Sequence, residues 1–131
     1  MKPGIIKVRV YFEDTDFSGF AYHGSYVRFL ERGRTELVRS LGGSQADLFE
    51  RDRFAFVVRR MSLEFIKPAR MDDLLVVETQ VLEVRGATMR LAQAVLRDGD
   101  ALVTAEVLVA ATREGRATRI PDALRGELQA N

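Results

Sequence analysis

The chain opens on an alternation. Ile6, Val8 and Val10 are separated by Lys7 and Arg9, the period-two pattern of a half-buried strand. From Tyr26 to Leu41 the period becomes helical. Tyr26, Phe29, Leu30, Gly33, Leu37, Val38 and Leu41 share one stripe, while Arg28, Glu31, Arg32, Glu36 and Arg39 face elsewhere. Ser25 is the expected N-cap and Gly42-Gly43 the stop. Gly33 lies inside the apolar stripe, where glycine costs roughly 1 kcal/mol against alanine. Close approach of the helix to a sheet would explain it.

After a short helical stretch, Gln45 to Arg51, the pattern turns to strands. Phe54 to Ile66 alternates, Leu74 to Val84 is rich in valine, and Arg85-Gly86-Ala87 reads as a turn. Met89 to Leu96 follows, then the hairpin signal Asp98-Gly99-Asp100, then Leu102 to Ala111. Pro121 opens a last helix through Leu128. Strand, long helix and four strands joined by tight turns predict an α+β domain: a five-stranded antiparallel sheet with one principal helix packed on it. One helix covers only part of such a sheet, so self-association is expected.

Composition narrows the possibilities. The 131 residues fit a single domain over 1–131, with 47% hydrophobic and 30% charged residues, ordinary values for a globular protein. The net charge of +1 gives no field toward nucleic acid. There is no cysteine, which removes disulfides and thiolate chemistry. Neither a signal peptide nor a membrane-spanning run is visible, and a cytoplasmic location is expected.

The chemistry gathers between Tyr11 and Gly24, where Glu13, Asp14 and Asp16 precede Gly19 and the only histidine, His23. A carboxylate at a strand end, followed by a loop and a helix N-terminus, can sit beside N–H groups that stabilise an oxyanion. A bare D-x-D is more often a solvated turn. A phosphatase of the aspartyl-phosphate class would need a parallel α/β domain, whereas these strands follow hairpins. One histidine and scattered acids build no metal set, and no phosphate-binding glycine loop is present.

The segments Val8 to Asp16, Gly19 and Tyr22-His23-Gly24-Ser25-Tyr26 closely resemble the signature of hot-dog-fold acyl-CoA thioesterases. The resemblance is to the 4-hydroxybenzoyl-CoA thioesterase-like group, in particular the subgroup encoded with the bacterial Tol-Pal system. It continues through Phe29 to Glu36, Phe56 to Arg59, Pro68 to Leu74 and Ile120-Pro121. It implies a long central helix wrapped by a curved antiparallel sheet, and hydrolysis of an acyl-CoA to a carboxylic acid and free CoA without a metal or other cofactor. Position by position, it implies Asp16 as nucleophile or general base, His23 as a second catalytic-site residue that positions water, bonds the substrate or only shapes the loop, and Gly19, Tyr22 and Gly24 as the oxyanion loop. Glu31 is a rival acid, because related enzymes carry one on the central helix.

For the phosphates of CoA the candidates are Lys67, Arg70, Arg85, Thr88 and Arg90. The resemblance further implies a homo-oligomer, a dimer at minimum and often a tetramer, with the active site at the subunit interface. Phe17-Ser18-Gly19-Phe20-Ala21 is bulkier than the small residues usual there, which bears on the acyl pocket. The competing reading is a non-catalytic acyl-CoA-binding or partner-binding module on the same fold.

Overall fold

The computed structural model describes residues 3–42 and 45–130. Strand β1 (Gly4–Arg9) runs through a short 3-10 turn at Phe12–Asp14 into helix α1 (His23–Ser40). After α2 (Gln45–Asp52) come β2 (Phe54–Phe65), β3 (Leu74–Val84), β4 (Thr88–Arg97) and β5 (Asp100–Arg113). A two-residue strand β6 (Arg116–Ala117) and helix α3 (Asp122–Ala130) complete the chain. The sheet is antiparallel in the order β1-β3-β4-β5-β2, so β1 and β2 are its edges. The five expected strands are present, and β6 adds a short return onto β5 that the sequence pattern did not show.

Helix α1 lies across the concave face with the expected stripe inward. Tyr26, Phe29, Leu30, Gly33, Leu37 and Val38 are buried, against Val8, Leu75, Val77 and Val95 toward one end and Phe54, Val81, Leu91 and Val107 toward the other. At mid-helix, a Cβ placed on Gly33 would lie 2.8 Å from both Thr79 Oγ1 and Val77 Cγ1. The close approach inferred from sequence is therefore made against β3. A small polar belt occupies the same level. The Gln93 amide donates to the Leu30 carbonyl (2.9 Å) and to Thr79 Oγ1 (2.8 Å), and accepts from Arg34 (3.0 Å). Burial lowers the pKa of that guanidinium.

Two boundaries differ from expectation. Helix α1 begins at His23 rather than Tyr26, with Tyr22 in extended backbone as its N-cap. Ser25 is no cap; it lies buried in the first turn and donates its hydroxyl to the Asp14 carbonyl at 2.8 Å. The upstream loop supplies that acceptor, so the helix starts earlier than side-chain capping would place it. Gly42 follows α1 with a φ of +96°, as a stop requires. Gly43, the other half of the expected stop, lies outside the described residues, as do Met1 and Lys2.

Candidate active site

Backbone hydrogen bonds close the β1–α1 connection into a fixed loop. Thr15 bridges Ala21, the Asp16 N–H donates to the Phe20 carbonyl at 3.1 Å, and the Gly19 N–H donates to the Asp16 carbonyl at 3.0 Å. The β2–β3 connection docks against it, with Phe20 bridging Arg70 and the Ala21 N–H donating to the Ala69 carbonyl at 2.8 Å. That connection is itself braced. The Asp73 carboxylate accepts from the Arg70 N–H and from Arg97, each at 2.8 Å. Burial works to raise the Asp73 pKa, but these donors and the charges of Arg97 and Arg70 hold it below the ordinary carboxylate value.

The two acids of Asp14-Thr15-Asp16 part company. Asp14 is 5% exposed. Its carboxylate accepts from the Tyr11 N–H (2.9 Å) and from Arg28 (3.1 Å), and its carbonyl accepts from the Tyr22 N–H and the Ser25 hydroxyl. It ties the loop to the start of α1. Asp16 is exposed, and its Oδ1 accepts the Ser18 N–H at 2.8 Å and the Ser18 hydroxyl at 2.5 Å. The Ser18 hydroxyl, then the Ser18 N–H and the nearby His23 charge, hold its pKa below the ordinary carboxylate value.

Asp16 and His23 line one cavity of about 320 Å³. Ser18, Phe20 and Ala21 join them from the loop, Tyr26 from α1, and Phe65 to Pro68 from the end of β2. The His23 ring stands 5.1 Å from Phe65, edge-on, and the Tyr26 ring lies 5.8 Å from Phe65 on the same wall. The Tyr26 hydroxyl accepts the Ala69 N–H at 3.0 Å, and burial raises its pKa. A pocket walled by Phe20, Ala21, Phe65, Ile66 and Pro68 that also carries one exposed carboxylate suits an acyl group presented to that carboxylate.

The N-terminus of α1 opens on this loop. Helix geometry leaves the first N–H groups without helical partners. The Tyr22 N–H goes to Asp14 and the Ser25 N–H to the Tyr22 carbonyl, so the pair left over belongs to His23 and Gly24. The Gly24 N–H is therefore left without a backbone partner among the described residues. Gly19 and Tyr22, expected with it as the oxyanion loop, have their N–H groups committed inside the loop, because closing the loop uses them.

The expected CoA ligands fall in two places. Lys67 lines the Asp16 cavity, and the Arg70 guanidinium stacks over Phe20 at 5.4 Å. Arg85, Thr88 and Arg90 line a separate groove of about 280 Å³, together with Arg59 and Arg60. The adjacent arginines share it because β2 bulges between Val58 and Arg60 against β5, which re-aims one of two neighbouring side chains. Part of the charge is answered: Arg85 pairs with Glu83 at 2.8 Å and Arg90 with Glu106 at 3.0 Å. Arg125 donates to the carbonyls of Arg85 and Gly86, fixing the turn that carries the groove.

Glu31 lies outside the Asp16 cavity. It is exposed, accepts the Thr35 hydroxyl at 2.7 Å and faces a small cavity with Arg34, Phe56 and Val58. Of the arginines near it on α1, Arg28 bonds Asp14, while Arg34 bonds Gln93 and feels the Glu31 charge. Sequence reasoning missed Ser18, Phe65 and the Arg59–Arg60 pair. Only Ser18 had a local signal, since a serine two residues after an aspartate favours such a turn. Among the described residues no group of three or more His, Asp or Glu side chains could hold a metal ion. No helix of the described residues is long and apolar enough to cross a membrane.

Comparison with known proteins agrees with this architecture. Residues 18–104 match the thioesterase superfamily. The acyl-CoA thioesterase YbgC of Haemophilus influenzae is 45% identical over 83% of this chain and 80% of its own. A probable thioesterase from Bartonella henselae superposes with a TM-score of 0.88 at 39% identity, covering 92% of this chain and all of that one. A 4-hydroxybenzoyl-CoA thioesterase with bound 4-hydroxybenzoyl-CoA superposes with a TM-score of 0.91 over 98% of this chain and 99% of its own; at 18% identity it speaks for the fold alone. The chain has the hot-dog fold and belongs to the thioesterase superfamily, in the family of the YbgC acyl-CoA thioesterases.

Proposed function

We propose that the protein hydrolyses an acyl-CoA thioester to a carboxylic acid and free CoA, with Asp16 as the residue acting on the thioester carbonyl. The observation that carries this reading is one ionised, exposed carboxylate lining a cavity that it shares with Phe20, Phe65 and His23, the first residue of α1. Two routes use that geometry. As general base, Asp16 takes a proton from water, and the resulting hydroxide adds to the carbonyl. As nucleophile, it forms a mixed anhydride that water then opens. In both, the oxyanion is met by the N–H groups of His23 and Gly24 and by the helix dipole, and collapse expels the CoA thiolate. The His23 side chain stands on the same wall, within reach of a water or substrate role.

Lys67 and Arg70 are the cations nearest the thioester end, and the groove of Arg85, Thr88 and Arg90 is our candidate for the CoA phosphates. From Phe65 to Arg60 is five residues of β2, roughly 17 Å at 3.4 Å per residue, so an extended ligand is required to join the two. The edge strand β2 carries exposed Val57, Val58 and Phe65, and its end forms part of the cavity wall. We therefore assign that edge to a second copy of the chain, pairing strand to strand in a dimer that doubles to a tetramer.

The test is Asp16→Asn assayed for thiol release on acyl-CoAs of different length and aromaticity. Turnover should fall by orders of magnitude with folding retained, because shape is kept and only the charge is removed. Wild-type turnover in the variant would refute the assignment. Tight binding by the wild-type protein with no thiol release across the panel would favour a non-catalytic binding module. Label in Asp16 after one turnover in isotopically labelled water would identify an anhydride opened at the aspartyl carbonyl, whereas the general-base route puts label in the acid product alone.

A further inference from the structure

We infer that Ser18 is a positioning residue for this reaction, holding one carboxylate oxygen of Asp16 so that the other is presented to the cavity; the inference rests on the assignment of Asp16 above. Both Ser18 bonds land on Oδ1, from the N–H at 2.8 Å and from the hydroxyl at 2.5 Å, and Oδ2 takes neither. A hydroxyl has one proton to give. The Phe20 N–H donates to Ser18 Oγ at 3.2 Å, so the backbone occupies its acceptor side and leaves the proton for Asp16. The serine is thus oriented from behind and acts as a fixed donor.

An exposed aspartate otherwise rotates broadly about its last torsion and exchanges its two oxygens. Two donors on one oxygen remove that freedom and fix which oxygen meets the thioester. Orientation of this kind is where much of an enzyme's rate advantage arises. The same bonds favour the ionised carboxylate, with the His23 charge acting in the same sense and the Lys67 ammonium on the cavity wall as a further cation. The Ser18 hydroxyl is engaged on both sides, donating to Asp16 and accepting from the Phe20 N–H, so Ser18 is assigned a place beside Asp16 and not the part of a nucleophile.

The experiment measures kcat and KM against pH for wild type, Ser18→Ala, Ser18→Thr and Asp16→Asn, with a ¹³C NMR titration of the Asp16 carboxyl in the first three. In Ser18→Ala, kcat at neutral pH should fall by roughly ten- to a hundredfold with KM little changed, the loss expected for a misdirected group. Its acid limb and the Asp16 titration should both move to higher pH, since the hydroxyl bond that favours the charged form is gone while the N–H bond remains. Ser18→Thr restores a hydroxyl and should return both toward wild type. An unmoved titration in Ser18→Ala, with Asp16→Asn inactive, overturns the role of Ser18 and leaves Asp16 standing. A moved titration with Asp16→Asn fully active overturns the assignment of Asp16, and the catalytic part of this inference falls with it. A kcat loss in Ser18→Ala that Ser18→Thr does not reverse also overturns it.

Discussion

Replacing Gly33 by alanine sets two opposed effects against each other, and their sizes decide the sign. Within a helix, alanine is favoured over glycine by about 1 kcal/mol, so an exposed site would gain stability. Here the new methyl group would sit 2.8 Å from Val77 Cγ1 and Thr79 Oγ1 and 3.2 Å from Gln93 Nε2. Ordinary contact needs about 3.5 Å, so helix and sheet must part by roughly 0.7 Å. Neither neighbour can turn aside. Both are β-branched and stiff at χ1, and Thr79 Oγ1 accepts the buried Gln93 amide. Overpacking of this kind costs about 1–3 kcal/mol, and the weakened Gln93 bonds add to it, so the net change should be a loss of about 1–2 kcal/mol. For a chain of this length that is a fall in Tm of about 3–10 °C. Gly126, in α3, provides the opposite case, because a Cβ added there would meet nothing within 4 Å. Gly126→Ala should raise stability by roughly 0.5–1 kcal/mol. Urea unfolding at one fixed protein concentration measures both. A Gly33→Ala protein as stable as Gly126→Ala would refute the reasoning.

Asp73→Asn should destabilise the protein at neutral pH. Because the folded-state pKa of Asp73 is depressed, its contribution is present above the unfolded value and is lost as pH falls through the folded one, so wild type and variant should converge in acid in a pH series of urea midpoints. Arg85→Ala combined with Arg90→Ala should raise KM several-fold with kcat preserved, and weaken the dependence of KM on salt; an unchanged KM would remove the groove from CoA binding. Light scattering at assay concentration should find a dimer or tetramer, with activity lost on dilution together with the oligomer. An active monomer would contradict the pairing assigned to β2.

Most of the fold was legible because the apolar pattern changes period where the chain changes element. The six inward residues of α1 from Tyr26 to Val38 and all four later strands lie where periodicity placed them. The start of α1 was not legible. Its first turn is held by the Asp14 carbonyl, eleven residues before Ser25, and no helix-local pattern records so distant an acceptor. The arginine groove failed for a similar reason: a bulge turns Arg59 and Arg60 to one side, whereas strict alternation would send them to opposite faces. At the site, residue types and spacing marked out the stretch from Tyr11 to Gly24 and the resemblance chose Asp16, His23, Gly19, Tyr22 and Gly24 within it, but which N–H groups are spent inside the loop is decided by closure of the loop and by nothing in the residue types. The separation of Asp14 from Asp16 is likewise a matter of burial, since the two acids are chemically alike.

The contact at Gly33 also bears on the chemistry, because α1 is one rigid rod with the candidate oxyanion donors at its end. From Gly33 to Gly24 is nine residues, roughly 13 Å at 1.5 Å per residue, with no break between them. Lifting the middle of the helix by that roughly 0.7 Å therefore displaces or tilts its N-terminus by a similar amount. Asp16 follows only in part, since its loop is bonded to the β2–β3 connection through Ala21 and Phe20 as well as to the start of α1 through Asp14. The distance between carboxylate and oxyanion donors should change as a result, and misplacement approaching 1 Å can cost about a hundredfold in rate. Gly33→Ala should accordingly lower kcat by roughly tenfold at temperatures where it is still fully folded, while Gly126→Ala leaves kcat unchanged. A folded Gly33→Ala enzyme with wild-type kcat would show that the loop and the helix end move together.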